Sequence, residues 1–242
     1  MRALSFAKRN FKEIIRDPLN LCFGIGFPVV LILLLSAIQS SIPVPLFEIQ
    51  SLTPGITVFG LAFMTLFTAT LISKDRSTSF LQRLYTTPLK PIDFIFGYTL
   101  PIIPISVLQG VMCYIFAIIL GLDVSVNIIL AIILIIPIAL LFISLGLLFG
   151  SILNDKQVGG VCGALLTNLT AWLSGAWFDL KLVGGVFEKV AYALPFVHAV
   201  EMERIILSGN YTEILPHLLV ILAYTIVSVV LAVILFLKQM KK

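Results

Sequence analysis

Six long apolar stretches leave this chain few folds to adopt. They lie near residues 20–40, 52–73, 92–120, 126–150, 157–178 and 214–237. Each matches the roughly 20 helical residues needed to cross a hydrocarbon core of about 30 Å. The 242 residues are 60% hydrophobic and 12% charged, against about 45–50% and 25% in a soluble domain. An all-α polytopic membrane protein is therefore expected, with one transmembrane domain over 1–242. The net charge of +4 is weak support for a nucleic-acid partner, and none is expected. Cys22, Cys113 and Cys162 sit apart in separate apolar stretches, with no spacing that suggests a metal site or a disulfide framework.

Residues 1–18 precede the first span. Leu4, Ala7, Phe11, Ile14 and Ile15 share one helical face, and Arg2, Lys8, Arg9, Lys12 and Arg16 lie mostly elsewhere. This predicts a basic amphipathic helix in the headgroup plane, ended by Pro18. A cleavable signal peptide fits less well, because the basic region is long and the next apolar run has full span length. Thirteen of the sixteen Lys and Arg residues fall in the N-terminus, the 74–91 loop, the 154–157 turn and the tail. By the positive-inside rule, both termini and the 74–91 loop are cytoplasmic.

The stretch 74–91 is the longest polar interruption in the first two thirds of the chain. Asp75, Ser77 or Thr78 can cap the start of a short helix. Phe80, Leu81, Leu84 and Tyr85 follow at helical spacing, and Pro88 ends it. Such a helix either lies on the membrane surface or plugs into another protein. The segment 179–213 is read as two short amphipathic helices broken at Pro195 that dip into the outer leaflet and return. Within it, His198, Glu201, Glu203 and Arg204 read as a solvated face. Glu201 and Arg204, three residues apart, are placed to pair. Pro195, Glu201 and Arg204 are the candidate external gate.

Phosphate-binding chemistry is absent from the sequence. No Gly-x-x-x-x-Gly-Lys-Ser/Thr occurs, and Gly159-Gly160-Val161-Cys162-Gly163 lacks the lysine. No cofactor is expected in this chain. The small-residue pairs Gly146/Gly150 and Gly159/Gly163 suit close helix packing or a dimer seam. Pro28, Pro101, Pro104 and Pro137 interrupt spans and permit kinks. Gln109, Thr167, Asn168, Thr170 and Trp172 are candidates for a substrate path. No charged residue falls near a span centre, which argues against proton- or ion-coupled transport. Ser174 and His217 both fall near the outer surface. An intramembrane serine hydrolase needs such a pair, but Trp172 stands where a Gly-x-Ser-Gly pattern has glycine.

These parts together resemble the permease subunits of type-2 ABC exporters. Asp75-Arg76-Ser77-Thr78-Ser79-Phe80-Leu81-Gln82-Arg83-Leu84-Tyr85-Thr86-Thr87-Pro88-Leu89 is similar to that family's acidic-Arg-x-x-Gly-Thr-hydrophobic-x-Arg-Leu-x-x-Thr-Pro pattern. Thr78-Ser79 departs from its Gly-Thr. Leu194-Pro195-Phe196 followed by Arg204 resembles the segment before the family's final span.

The resemblance covers essentially the whole chain. It implies an N-terminal interface helix, six transmembrane helices, a cytosolic coupling helix between spans two and three, and re-entrant helices before span six. Ser77–Thr87 would be the coupling helix, with Asp75, Arg76, Thr78, Phe80, Leu81, Arg83, Leu84, Tyr85 and Pro88 at the ATPase contact. The implied partners are two copies of a cytosolic ABC ATPase carrying ATP and Mg, and a second permease subunit, identical or homologous, in the cytoplasmic membrane. Family members export drugs, antibiotics, lipid-linked glycans, peptides or sodium. Uncharged spans lean toward a hydrophobic or amphipathic substrate.

Overall fold

The computed structural model describes residues 2–78 and 91–240, which are helical and turn structure without a β-strand. Helix α1 is Arg2–Ile15. Among the described residues, five helices are long and apolar enough to cross a membrane: α2 (Pro18–Gln39), α3 (Ile49–Ser77), α4 (Ile92–Ile119), α5 (Val126–Ile152) and the last, spanning Tyr211–Lys238. Between α5 and the last span lie α6 (155–173), α7 (Gly185–Ala193) and α8 (Pro195–Ser208). The α-helical part of the last span, Ile214–Met240, is α9.

Span 157–178 departs from expectation. Here α6 is three consecutive helical pieces, Asp155–Val158, a π-helical Gly159–Leu166 and Thr167–Leu173. At 1.5 Å per residue its 19 residues reach about 28 Å, just short of the hydrocarbon thickness. It stops at Leu173, because Gly175 turns the chain at φ +71°, a conformation that favours glycine. Its start is capped reciprocally by Asn154 and Gln157. The π-helical piece coincides with the glycine-rich stretch, where helix geometry is least constrained by side chains.

Helix α3 is the centre of the molecule. Its apolar window is 89% buried, against 17% for the last span. It packs against α2, α4, α5, α6 and α8. Small and hydroxyl residues make this approach feasible without a hydrophobic driving force. A Cβ on Gly146 of α5 would lie 2.5 Å from Thr68 Cβ, and one on Gly150 would lie 2.9 Å from Ala69 Cα. The Gly146/Gly150 pair therefore serves packing within the chain. Gly159 and Gly160 have open space before them. Thr65 donates to the Phe142 carbonyl and ties α3 to α5.

The prolines act unequally. Pro101 coincides with a break in α4, between Pro91–Thr99 and Ile102–Ile119, whereas Pro137 sits inside an unbroken α5. In α2, a π-helical turn at Cys22–Gly26 directly precedes Pro28.

Helix α1 does not spend its apolar face on lipid alone. Phe6, Ala7 and Ile14 are buried, while Leu4 and Ile15 stay exposed. Phe6 stacks edge-on against Tyr98 of α4, with centroids 5.0 Å apart. It also lies where a Cβ on Gly97 would be. Buried Asn10 donates to the Gly97 carbonyl at 2.9 Å. The helix expected in the headgroup plane is docked on protein.

Candidate functional site

Two polar constellations sit at opposite ends of α3. Ser51 and Asp75 are 24 residues apart in one helix, which at 1.5 Å per residue is about 36 Å. The first constellation is built on the last turn. Asp75 is buried, and its Oδ2 accepts from Arg9 Nη1 of α1 at 2.7 Å and from the Tyr98 hydroxyl of α4 at 2.9 Å. Arg9 also pairs with Glu13 at 2.8 Å. Arg76 points to the other side. Its Nη1 donates to the carbonyls of Gly150 at 2.7 Å and Leu153 at 3.2 Å. A cation there meets the orphan carbonyls and the negative end of α5. Ser73 donates to Asp155 at the start of α6. Thus Ser73, Asp75 and Arg76, within one turn of α3, bind α1, α4, α5 and α6.

Sequence reasoning placed Asp75 and Arg76 in a separate helix between spans. They belong instead to α3, which continues through Ser77. Thr78 is its C-cap, with the hydroxyl donating to the Asp75 carbonyl. Phe80, Leu81, Arg83, Leu84, Tyr85 and Pro88, the rest of the expected coupling segment, lie outside the described residues.

The second constellation joins the start of α3 to α8. The helix–break–helix expected around Pro195 is present. Leu194 is extended at φ −102°, ψ 154°, and Pro195 opens α8 as its first residue, as a residue before proline requires. Arg204 pairs with Glu201 at 3.1 Å. It also donates to the Gly175 carbonyl at 2.8 Å and the Ser51 carbonyl at 3.3 Å. One guanidinium thus latches α8 to the turn after α6 and to the first turn of α3. Beside it is a cleft of about 590 Å³, lined by Trp177, Phe178, Asp179, Lys181, Tyr192 and Glu201 among others. It combines aromatic surface with both signs of charge.

One residue of the expected solvated face is placed otherwise. Glu203 is fully buried and accepts from the Tyr114 hydroxyl of α4 at 2.5 Å. Its Oε1 has no partner among the described residues. Burial pushes the carboxyl up to about 8. Glu203 lies on α8, outside the five spans, with its carboxyl against Tyr114 of α4. The signal was in the sequence: Glu203 follows Phe196, Ala199 and Val200 at helical spacing, on the buried face. Asn10, Tyr98 and Tyr114 carry no motif in the sequence, and Arg9 reads there only as part of the basic face of α1.

The candidate path residues are not joined to one another by hydrogen bonds among the described residues. Gln109 is buried and donates to the Thr57 carbonyl at 3.4 Å and Cys113 Sγ at 3.3 Å, tying α4 to α3. Thr167 and Asn168 bond back to carbonyls of their own helix. Buried Thr170 has no hydroxyl partner among the described residues, and Trp172 is exposed. The hydrolase pair is not assembled either. Ser174 is buried and its Oγ accepts from the Ala176 amide, whereas His217 meets His198. No hydrogen bond joins Ser174 to His217 among the described residues.

The family model for ABC-2 type transporters matches residues 2–208. The chain belongs to the ABC-2 type transporter family. The match runs from α1 to the end of α8, so both constellations fall inside it. This makes the chain a multi-pass membrane permease of an ABC transporter, a class that works with an ABC ATPase. The comparison with curated proteins returned no match.

Proposed function

We propose that this ABC-2 permease exports a hydrophobic or amphipathic molecule, using force that enters at the Asp75 end of α3 and leaves at the Arg204 end. The observation that carries the reading is the three-residue junction Ser73, Asp75 and Arg76. It grips four neighbouring helices at the foot of the most buried span, immediately before the 79–90 segment. A push delivered to that segment reaches α3 with little slack, since close-packed interiors transmit displacement rather than absorb it.

The ATPase is a separate cytosolic protein, present in two copies, that holds ATP and Mg. Phe80, Leu81, Leu84 and Tyr85 supply the apolar face that seats in it, flanked by Arg83 and stopped by Pro88. Both termini face the cytoplasm, and the cleft beside Arg204 opens outside. A second permease subunit completes the transport path. The aromatic and doubly charged lining of the cleft favours an amphipathic cargo, because aromatic rings accept apolar parts and the charges orient polar ones.

The test is purification of the full chain with its ABC ATPase. The double substitution Leu84→Glu and Tyr85→Glu is expected to leave the permease folded while removing its stimulation of ATP hydrolysis. Undiminished stimulation in that variant contradicts the reading.

A further inference from the structure

The chain contains two histidines among its 242 residues, and the fold brings their rings together. His198 is on α8 and His217 is on α9. Their Nδ1 atoms are 2.9 Å apart, with ring centroids 5.0 Å apart and planes inclined by 50°. The other nitrogen of His198, Nε2, lies 3.0 Å from the Tyr192 carbonyl oxygen. A carbonyl only accepts, so Nε2 carries the proton. With the proton on Nε2, a neutral His198 ring presents the lone pair of Nδ1 to His217. That is how histidine ligands are held in metal sites, with one nitrogen fixed by a carbonyl and the other free to coordinate.

We propose that His198 and His217 bind one late first-row divalent cation through their two Nδ1 atoms, clamping α8 to α9. Metal–imidazole bonds are about 2.0–2.1 Å long. Nitrogens 2.9 Å apart then subtend roughly 90° at a shared ion, the cis angle of square-planar or octahedral copper and nickel sites. Zinc's tetrahedral angle needs a separation of about 3.3 Å, a ring shift of a few tenths of an ångström. On binding, His217 moves its proton from Nδ1 to Nε2, so the step releases no net proton.

Glu201, three residues after His198 on α8, is paired with Arg204. No group of three or more His, Cys, Asp or Glu side chains is placed to hold a metal among the described residues. The site is thus a two-histidine site whose remaining positions go to water or to an incoming ligand. It lies on the segment that carries the Arg204 latch, so an ion here fixes the position of α8 against the last span. The inference stands on the histidine geometry and not on the transport reading.

The test uses the full chain in lipid nanodiscs, with Cys22→Ser to remove the exposed thiol, titrated with Cu²⁺ and followed by electron paramagnetic resonance. One Cu²⁺ per chain with a two-imidazole nitrogen signature is expected. His198→Gln and His217→Gln should each weaken binding by about a hundredfold or more, at or beyond the top of the range for loss of an outer-shell partner. Each should also remove the two-imidazole signature. Unchanged melting of both variants without metal checks that they fold. Equal Cu²⁺ affinity in the parent and the double variant overturns the proposal, and so does a one-imidazole signature in the parent.

Discussion

Arg9 reaches Asp75 across 66 positions of sequence, Nη1 to Oδ2 at 2.7 Å. The contact joins the N-terminal helix to the last turn of the central span. Arg9 is 38% exposed and Asp75 only 3%, so the carboxylate depends on this contact and on Tyr98 for its hydrogen bonds. Asp75→Asn keeps the shape and removes the charge. It is expected to weaken α1 docking by about 1.5–3 kcal/mol, the range for a hydrogen bond to a charged group. Hydrogen exchange should then rise over residues 6–14 before it rises elsewhere. Unchanged protection of α1 would mean that Phe6 and Asn10 suffice.

Arg76 caps the end of α5. Arg76→Ala should cost about 1 kcal/mol or somewhat more, since a partly buried cation at a helix C-terminus contributes up to about 2 kcal/mol. Faster amide exchange near residues 150–153 is the local readout. Arg76→Lys should recover part of the loss, because one ammonium can meet one of the two carbonyls but lacks the planar fork.

The glycines of the two pairs differ in what surrounds them, and a Cβ on Gly163 would already touch Leu66 at 3.4 Å. Gly150→Ala places a methyl 2.9 Å from Ala69 Cα and Ile72 Cβ. Overpacking of this kind costs about 1–3 kcal/mol, more than the helix propensity gained, about 1 kcal/mol. Gly159→Ala meets nothing within 4 Å and should be neutral or stabilising. Thermal melting of the two variants in the same detergent decides the point. Equal melting temperatures would show that the α3–α5 seam is looser than described.

Glu203 makes stability depend on pH. Its folded value of about 8 lies above the ordinary 4.5. Between these values the folded state holds a proton that the unfolded state has lost. Stability therefore falls as pH rises from about 4.5 to about 8, and levels off above that. Tyr114 is the ionisable partner facing the carboxyl. Arg204, next along α8, is turned toward Gly175 and Ser51. Glu203→Gln should flatten this part of the melting profile and raise stability above pH 8. An identical pH profile in the variant would show that the carboxyl has access to water.

Much of this architecture is legible in the sequence, and the reason is physical. Lipid demands long apolar helices, so five of the six expected spans appear as such helices. Leu194-Pro195 forces a break between α7 and α8 by steric rule. The Glu201–Arg204 pair follows from helical spacing. What the sequence does not show is which neighbour each polar side chain finds. Asp75 and Arg76 read as the start of a new helix because Pro88 and the polar run suggest one. Only packing against α1, α4 and α5 lets α3 continue through Ser77. Glu203 reads as solvated because its neighbours Glu201 and Arg204 are charged. The α6 segment reads as a full span because its polar Thr167, Asn168 and Thr170 are few among apolar neighbours. Contacts between residues dozens of positions apart, such as Tyr114 with Glu203 and Asn10 with Gly97, leave no local pattern.

Motion entering at the Asp75 junction is expected to travel along α3 to the cleft beside Arg204. Spin labels at Leu46→Cys and Leu182→Cys, both lining that cleft, report its change in shape in a background without Cys22, Cys113 and Cys162. The measurement is double electron–electron resonance on the complex with its ABC ATPase, with and without ATP and vanadate. A nucleotide-dependent change in the label distance is expected in the parent. Asp75→Asn should retain ATPase binding and lose that change. The same change in both proteins would contradict the account.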